Sequence, residues 1–500
     1  GFGGPGTFAS IDRPFSGSFY NPVMAVLGEQ ALPYHIFNLI LRWISGCLLF
    51  SIIKWLAPDK TGLAAWTGIL FVLYPGFTQQ PIAVEFILHF FVLDLFLLSI
   101  LLMLWSVGKN GFHYWVLTLF SMLTAASLFL SEYFIGLEAA RPVLLFFVLG
   151  RTSSKIATTI KKIVKAWLPT LIVVVGFLYW RVFVFKFPTY QPQLVADFTA
   201  DPVSAITVLA SQIVNDLKSI MIDAWRQVLI APVGKREMFY LLAMILVSLA
   251  LVYLYWLRSE KDESTQVVTQ SAFWRDTGLY PILFSIYLLL IAGWPFWITH
   301  IPIRIDFPWD RSILPFLPGL SILIAGVLEL VFRKPYHVLV LGVMVGLSLF
   351  FHYQNAKEYR YEWEKMRQFF WQLSWRVPAL ESGTVLVSDD IPLYRHSDNN
   401  LNAPLNWTYA PALTSMQLPY KFFDLFLRMD PQYNEIPSLE EGIPIIHNYR
   451  RTTFESSTSA LLAYYQNPDM CVRLLGPDDF EHRSMNLRVS RECLMSVNAK

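Results

Sequence analysis

The chain has 500 residues, 55% of them hydrophobic and only 15% charged, against about a quarter charged in an ordinary soluble protein. The net charge of +2 says nothing about nucleic acid, and with no basic patch interleaved with aromatics no nucleic-acid partner is expected. Three cysteines exclude a disulfide-dense scaffold and show no metal-ligand spacing, so no metal site is expected.

The chain opens at Gly1 rather than Met, and no signal peptide is visible there, so a processed or partial chain is expected. Apolar runs near the length needed to cross a bilayer then recur through the first 350 residues. They predict about ten transmembrane helices, near 34–54, 62–80, 86–106, 114–131, 134–150, 166–186, 239–257, 279–298, 313–332 and 336–352. Lys and Arg concentrate in alternate connections: Lys54 and Lys60, Lys109, the run Arg151 to Lys165, Arg258 to Arg275, and Arg333 with Lys334. By the positive-inside rule these are cytoplasmic. The stretch 1–33, the connection 187–238 and the tail from 353 then lie outside. Within 187–238, Ile206, Leu209, Ile213, Leu217, Ile220 and Trp225 keep a helical period. This predicts an amphipathic helix, either on the outer membrane surface or packed on other protein.

The tail changes character: polar residues, Pro and Asn become common, and no run is long enough to span. The reading is a transmembrane domain over 1–352 and a small extracytoplasmic α/β domain over 353–500. Strands are expected at 384–388, 471–475 and 487–491, and a helix at 455–466. If the last two strands pair antiparallel, Cys471 and Cys493 come close enough for a disulfide, which persists outside the cytoplasm; two free thiols are the alternative. Cys47, inside a span, is expected to be a buried thiol.

There is no P-loop, no GxGxxG after a strand and no HExxH, which disfavours ATP-driven transport. Attention falls on ionisable groups in or beside the membrane, which are costly there and mark function by default. Glu85 and His89 are four apart and share a helix face, and Asp94 lies deeper in the same span. Glu132 ends the fourth span. Glu138 and Arg141, three apart, suit an internal salt bridge, and Asp94 suits a hydrogen bond between helices. The outer segment Trp294-Pro295-Phe296-Trp297 is followed by His300, Arg304, Asp306, Trp309, Asp310 and Arg311. Arginine's planar fork suits phosphate, and interfacial anchoring by Trp and Arg is the plainer reading.

Several short motifs occur in order: Asp12-Arg13-Pro14-Phe15, then Pro33-Tyr34-His35-Ile36-Phe37-Asn38-Leu39, Tyr74-Pro75, Ser131-Glu132 and Asp310-Arg311-Ser312-Ile313-Leu314-Pro315. Together they resemble the GT-C superfamily of membrane glycosyltransferases, the group of protein O-mannosyltransferases and lipid A aminoarabinose transferases. The resemblance covers most of residues 11–350. It implies a multi-pass protein of a bacterial plasma membrane with an extracytoplasmic active site. The donor would be a sugar on a polyprenyl phosphate, held by membrane lipid, and the acceptor a protein, glycan or lipid. No cofactor is implied beyond that donor. The family's catalytic acid follows a first transmembrane helix, and both are expected upstream of Gly1. Acids gathered at one membrane face make Glu85 and Glu132 catalytic candidates, and the resemblance adds Asp12; the lipid-phosphate candidates it implies are Arg13, His35, Arg304 and Arg311. Two other classes stay open: a secondary transporter using Asp94, Glu85 and His89 as a proton path, and a non-catalytic scaffold whose outer domain binds a partner.

Overall fold

The structure, a computed structural model, describes residues 13–107, 109–150, 156–185, 194–230, 234–263, 279–332, 334–388, 393, 395–396, 398–413, 415–424, 446–449, 452–456, 460–466 and 471–474. It divides into a helical unit that ends at Ala356 and a second unit that begins at Lys357. Asp12, Cys493 and the expected strand 487–491 lie outside the described residues.

The helical unit begins with α1 (Ser16–Leu27), α2 (Ala31–Leu56), α3 (Thr61–Leu73), α4 (Ala83–Ser106) and α5 (Gly111–Ala125). It continues with α6 (Ala140–Leu149), α7 (Ile156–Tyr179), α8 (Leu194–Ala200), α9 (Pro202–Lys218), α10 (Ala224–Ile230) and α11 (Lys235–Glu263). Then come α12 (Leu279–Ile298), α13 (Leu317–Val331) and α14 (Lys334–Arg376), and the division between the units falls inside α14. Among the described residues, nine helical segments are long and apolar enough to cross a bilayer. The protein is therefore a helical multi-pass membrane protein, since helices satisfy their own backbone groups in lipid.

Two expected spans are shorter than the hydropathy suggested. The run 62–80 is helical only to Leu73. Tyr74 precedes Pro75 and takes φ −57°, ψ 126°, because the proline ring crowds the α conformation of the residue before it. The run 134–150 is a 3₁₀ segment, Glu132–Ala139, followed by the ten-residue α6. Pro142 lacks an N–H and is tolerated only in a helix's first turn, so the α-helix starts afresh at Ala140. By contrast, the last span, expected at 336–352, continues unbroken to Arg376.

Polar and small residues fix how the spans meet. Ser45 of α2 donates to Asp94 Oδ1 of α4 at 2.5 Å, the interhelical bond expected of Asp94. Arg141 donates to both oxygens of Glu138, at 2.5 and 2.8 Å, and to Ser99 at 3.0 Å. That buried pair is the expected internal salt bridge. At the crossing of α2 and α3 a Cβ on Gly68 would sit 2.9 Å from Gly46 O, so glycine on both helices permits the approach, as small residues do in membranes. Cys47 is a free thiol, but it is exposed on α2. The expectation of a buried thiol fails because a span buries only the helix face that meets other helices.

The second unit holds a four-stranded sheet in the order β2-β1-β5-β6, from β1 (Thr384–Ser388), β2 (Tyr420–Asp424), β5 (Ala460–Gln466) and β6 (Cys471–Leu474). A separate hairpin pairs β3 (Ile446–Tyr449) with β4 (Thr452–Glu455). β1, buried at every position, is parallel to both β2 and β5. The expected helix over 455–466 is replaced by the end of β4 and by β5. A parallel strand reads as a continuous apolar run, and Ala460-Leu461-Leu462-Ala463 has no period to separate strand from helix. The helix α15 (Asp398–Tyr409) protects the sheet edge. Its Asn402 accepts from Phe422 N at 2.6 Å, and Asn406 accepts from Tyr420 N at 3.1 Å and donates to Tyr420 O at 2.9 Å. These amides stand where a further strand would pair.

Candidate functional site

At one end of the helical unit, the connection from Tyr74 to Ile82 is held from every side. Asn38 Nδ2 donates to Gln80 O at 3.3 Å, and Arg42 Nη1 to Gln80 Oε1 at 3.1 Å. Asp310 accepts from the N–H and hydroxyl of Thr78, at 2.6 and 2.7 Å, and from Gln79. Asn355 donates to Thr78 O at 2.6 Å and Gln227 to Pro75 O at 2.8 Å, while Tyr74 donates to Ile220 O. The buried Asp310 carboxylate, hydrogen-bonded on both oxygens, is the firmest of these ties.

The same contacts locate the segment 202–230. Asp216 accepts from Trp297 at the end of α12 at 2.9 Å, Ile220 meets Tyr74, and Gln227 meets Pro75. All three partners belong to this one end of the bundle. The segment is apolar and long enough to span, yet its contacts lay it along that end, as its amphipathic period suggests.

Beside this platform Arg13, just ahead of α1, approaches Glu132 at 3.7 Å and lies over the Tyr133 ring at 5.1 Å. Burial opposes the Arg13 charge, but the fields of Glu132, Tyr133 and Glu85 outweigh it and raise its pKa above the ordinary arginine value. Its Nε is buried with no acceptor among the described residues. Tyr20 donates to Glu85 O at 3.2 Å. His89, buried and edge-on to Tyr133 at 4.9 Å, places Nδ1 3.3 Å from Glu85 O. A carbonyl only accepts, so that contact puts the proton on Nδ1. Nε2 then carries the unprotonated lone pair, buried without a partner among the described residues.

Arg13 and Arg311 are both within electrostatic reach of His89. The structure thus gathers Arg13, Glu85, Glu132 and Arg311 from the sequence candidates around His89. Arg311 also lies over Trp309, at 5.8 Å. His35, half-buried on α2, and Arg304, exposed and with its field on Asp216, have other surroundings. Asp12 falls outside the described residues. Cys471 lies in β6, which pairs antiparallel with β5, and its expected partner Cys493 lies outside the described residues.

Four participants were not among the sequence candidates. Tyr133 directly follows Glu132, and an aromatic beside the acid was the available signal. Arg181 sits in a π-helical segment, Trp180–Val184, and its field reaches Glu132. It carried no signal, because hydropathy places it at the tail of a span. Thr78 and Gln79 are neutral and lie in a connection that lacks Lys and Arg.

The carboxylates, imidazole and arginines here can exchange a proton and oppose a developing anion. Among the described residues no group of three His, Cys, Asp or Glu side chains is placed to hold a metal ion. In sequence comparisons no family model matches the chain, and no curated protein matches it.

Proposed function

We propose that the protein is a glycosyltransferase that moves a sugar from a polyprenyl-phosphate donor to an extracytoplasmic acceptor. The observation that supports this reading is the meeting of Arg13, Glu85, His89, Glu132 and Arg311 at one end of an apolar helical bundle. Lipid reaches such a site from the side, and a polar acceptor reaches it from water. Glu132 orients Arg13. Glu85, exposed and within the field of Arg13, is the candidate base.

In the reaction the carboxylate takes the proton of an acceptor hydroxyl. The oxygen attacks the anomeric carbon, and the carbon–oxygen bond to phosphate breaks. The electron pair leaves on the polyprenyl phosphate, whose charge Arg13 and Arg311 oppose. Arg13 Nε supplies a donor with no competing protein acceptor among the described residues. The proton-path alternative is weaker, because Asp94 is engaged by Ser45 inside the bundle.

Binding of polyprenyl phosphate to the purified protein tests the proposal. A charge-assisted hydrogen bond contributes about 1.5–3 kcal/mol, so Arg13→Ala and Arg311→Ala should each weaken binding by about tenfold or more. Lys109→Ala, at the other end of α4, should bind as the wild type does. Equal affinity in all four proteins would remove these arginines from the donor site.

A further inference from the structure

A second cleft, of about 330 Å³, opens between α8, α9 and His300. It shares no residue with the Arg13 cluster, and its size falls in the range that holds small molecules. Its polar lining comprises Asp197, Asp201, Ser204, Gln212 and His300. Leu194, Val208 and Leu209 supply an apolar wall between them.

His300 closes one side. Its Nε2 lies 3.0 Å from Asp197 Oδ2. The backbone takes φ 53°, a left-handed conformation uncommon for a residue with a side chain. Such a conformation persists where surrounding contacts enforce it, and here it turns the imidazole onto Asp197. Among the described residues Asp201 is committed on one oxygen: Oδ1 accepts from Val203 N and Ser204 N at 3.1 and 3.2 Å, capping α9. Oδ2 remains to accept from a ligand. Ser204 and Gln212 each donate and accept.

Among the described residues the lining holds no Lys or Arg, and its imidazole, His300, faces a carboxylate. Among the described lining residues an anion therefore meets no Lys or Arg, which separates this cleft from a phosphate site. Acceptors in excess, two groups that both donate and accept, and an apolar wall match a ligand with many hydroxyls and an exposed C–H face. We propose that the cleft is a binding subsite for a neutral carbohydrate. Resting on the transferase reading for its role, that carbohydrate is the acceptor or part of it.

Protection of a single cysteine tests this. In full-length protein with its three cysteines replaced by serine, Ala200→Cys places one thiol on the cleft wall. D-mannose and D-glucose should slow its alkylation by about threefold at about twice their dissociation constant, by mass action. Inorganic phosphate should not. Adding Gln212→Leu should abolish the protection by sugar while the thiol still reacts. If neither sugar slows alkylation while the same protein binds polyprenyl phosphate, this inference falls and the transferase reading stands. If sugar protects but polyprenyl phosphate does not bind, the cleft stands as a carbohydrate site and the transferase reading falls. Protection by phosphate rather than sugar would overturn the ligand class.

Discussion

Asp310 accepts two hydrogen bonds from Thr78, one from its backbone N–H at 2.6 Å and one from its hydroxyl at 2.7 Å. The pair ties the connection after α3 to the 3₁₀ segment Trp309–Phe316 ahead of α13, and both residues are buried. Asp310→Ala strands those donors, at about 1–3 kcal/mol for each unsatisfied group. The variant should lose Tm in detergent by clearly more than Asp306→Ala, whose side chain is exposed. Equal Tm values would contradict the role assigned to the buried carboxylate.

The crossing of α2 and α3 gives a steric prediction. A Cβ on Gly46 would lie 2.6 Å from Val72 Cγ2 and 3.1 Å from Gly68 O. One of those neighbours is backbone and cannot rotate away. Gly46→Leu should therefore cost about 1–3 kcal/mol as overpacking. Gly176 meets nothing within 4 Å, so Gly176→Leu should leave stability within about 0.5 kcal/mol. Denaturant unfolding in mixed micelles compares them, and equal losses would refute the close crossing.

Alkaline pH should weaken the second unit through Tyr409. Burial pushes its phenol up to about 12, with the field of Tyr420 adding to the shift. Its hydroxyl donates to Val377 O at 2.9 Å. The unfolded phenol ionises near pH 10, while the folded one stays neutral. Its contribution is present below about pH 10 and is lost as pH rises toward about 12. Tyr409→Phe should be less stable than wild type at neutral pH, and that gap should narrow between about pH 10 and about pH 12. A gap independent of pH would contradict this.

Orientation follows from the basic connections. In a cysteine-free background, Asp306→Cys should react with a membrane-impermeant thiol reagent in intact cells. Lys109→Cys should react only after permeabilisation. The opposite pattern would reverse the topology.

Much of the helical unit was legible in the sequence because bilayer thickness imposes a length on apolar runs. The span at 279–298 matches α12 residue for residue. What hydropathy missed is backbone chemistry: Pro75 ends α3, and Pro142 confines α6 to ten residues. In the second unit β5 read as a helix because a short apolar run carries no usable period. At the candidate site, charge beside the membrane marked Glu85, Glu132 and Arg311, while Arg13 came from the motif resemblance. Charge could not mark Thr78 and Gln79, which are neutral and matter through what they donate to Asp310. It also did not reveal that Arg304 faces Asp216 rather than the Arg13 cluster.

Donor turnover is the most direct measurement of the transferase claim. Purified protein in liposomes would be given polyprenyl-phosphate sugars labelled in the sugar, together with an extract of envelope acceptors. At least one donor should lose its label to the acceptor fraction with time, releasing polyprenyl phosphate. Loss of a positioned base costs about 10²–10⁴-fold in rate. Glu85→Gln should therefore fall by about that factor at unchanged donor affinity, and Arg13→Ala should fall through weakened donor binding. Folded protein that binds polyprenyl phosphate but consumes no donor, or variants that turn over as fast as wild type, would contradict the account.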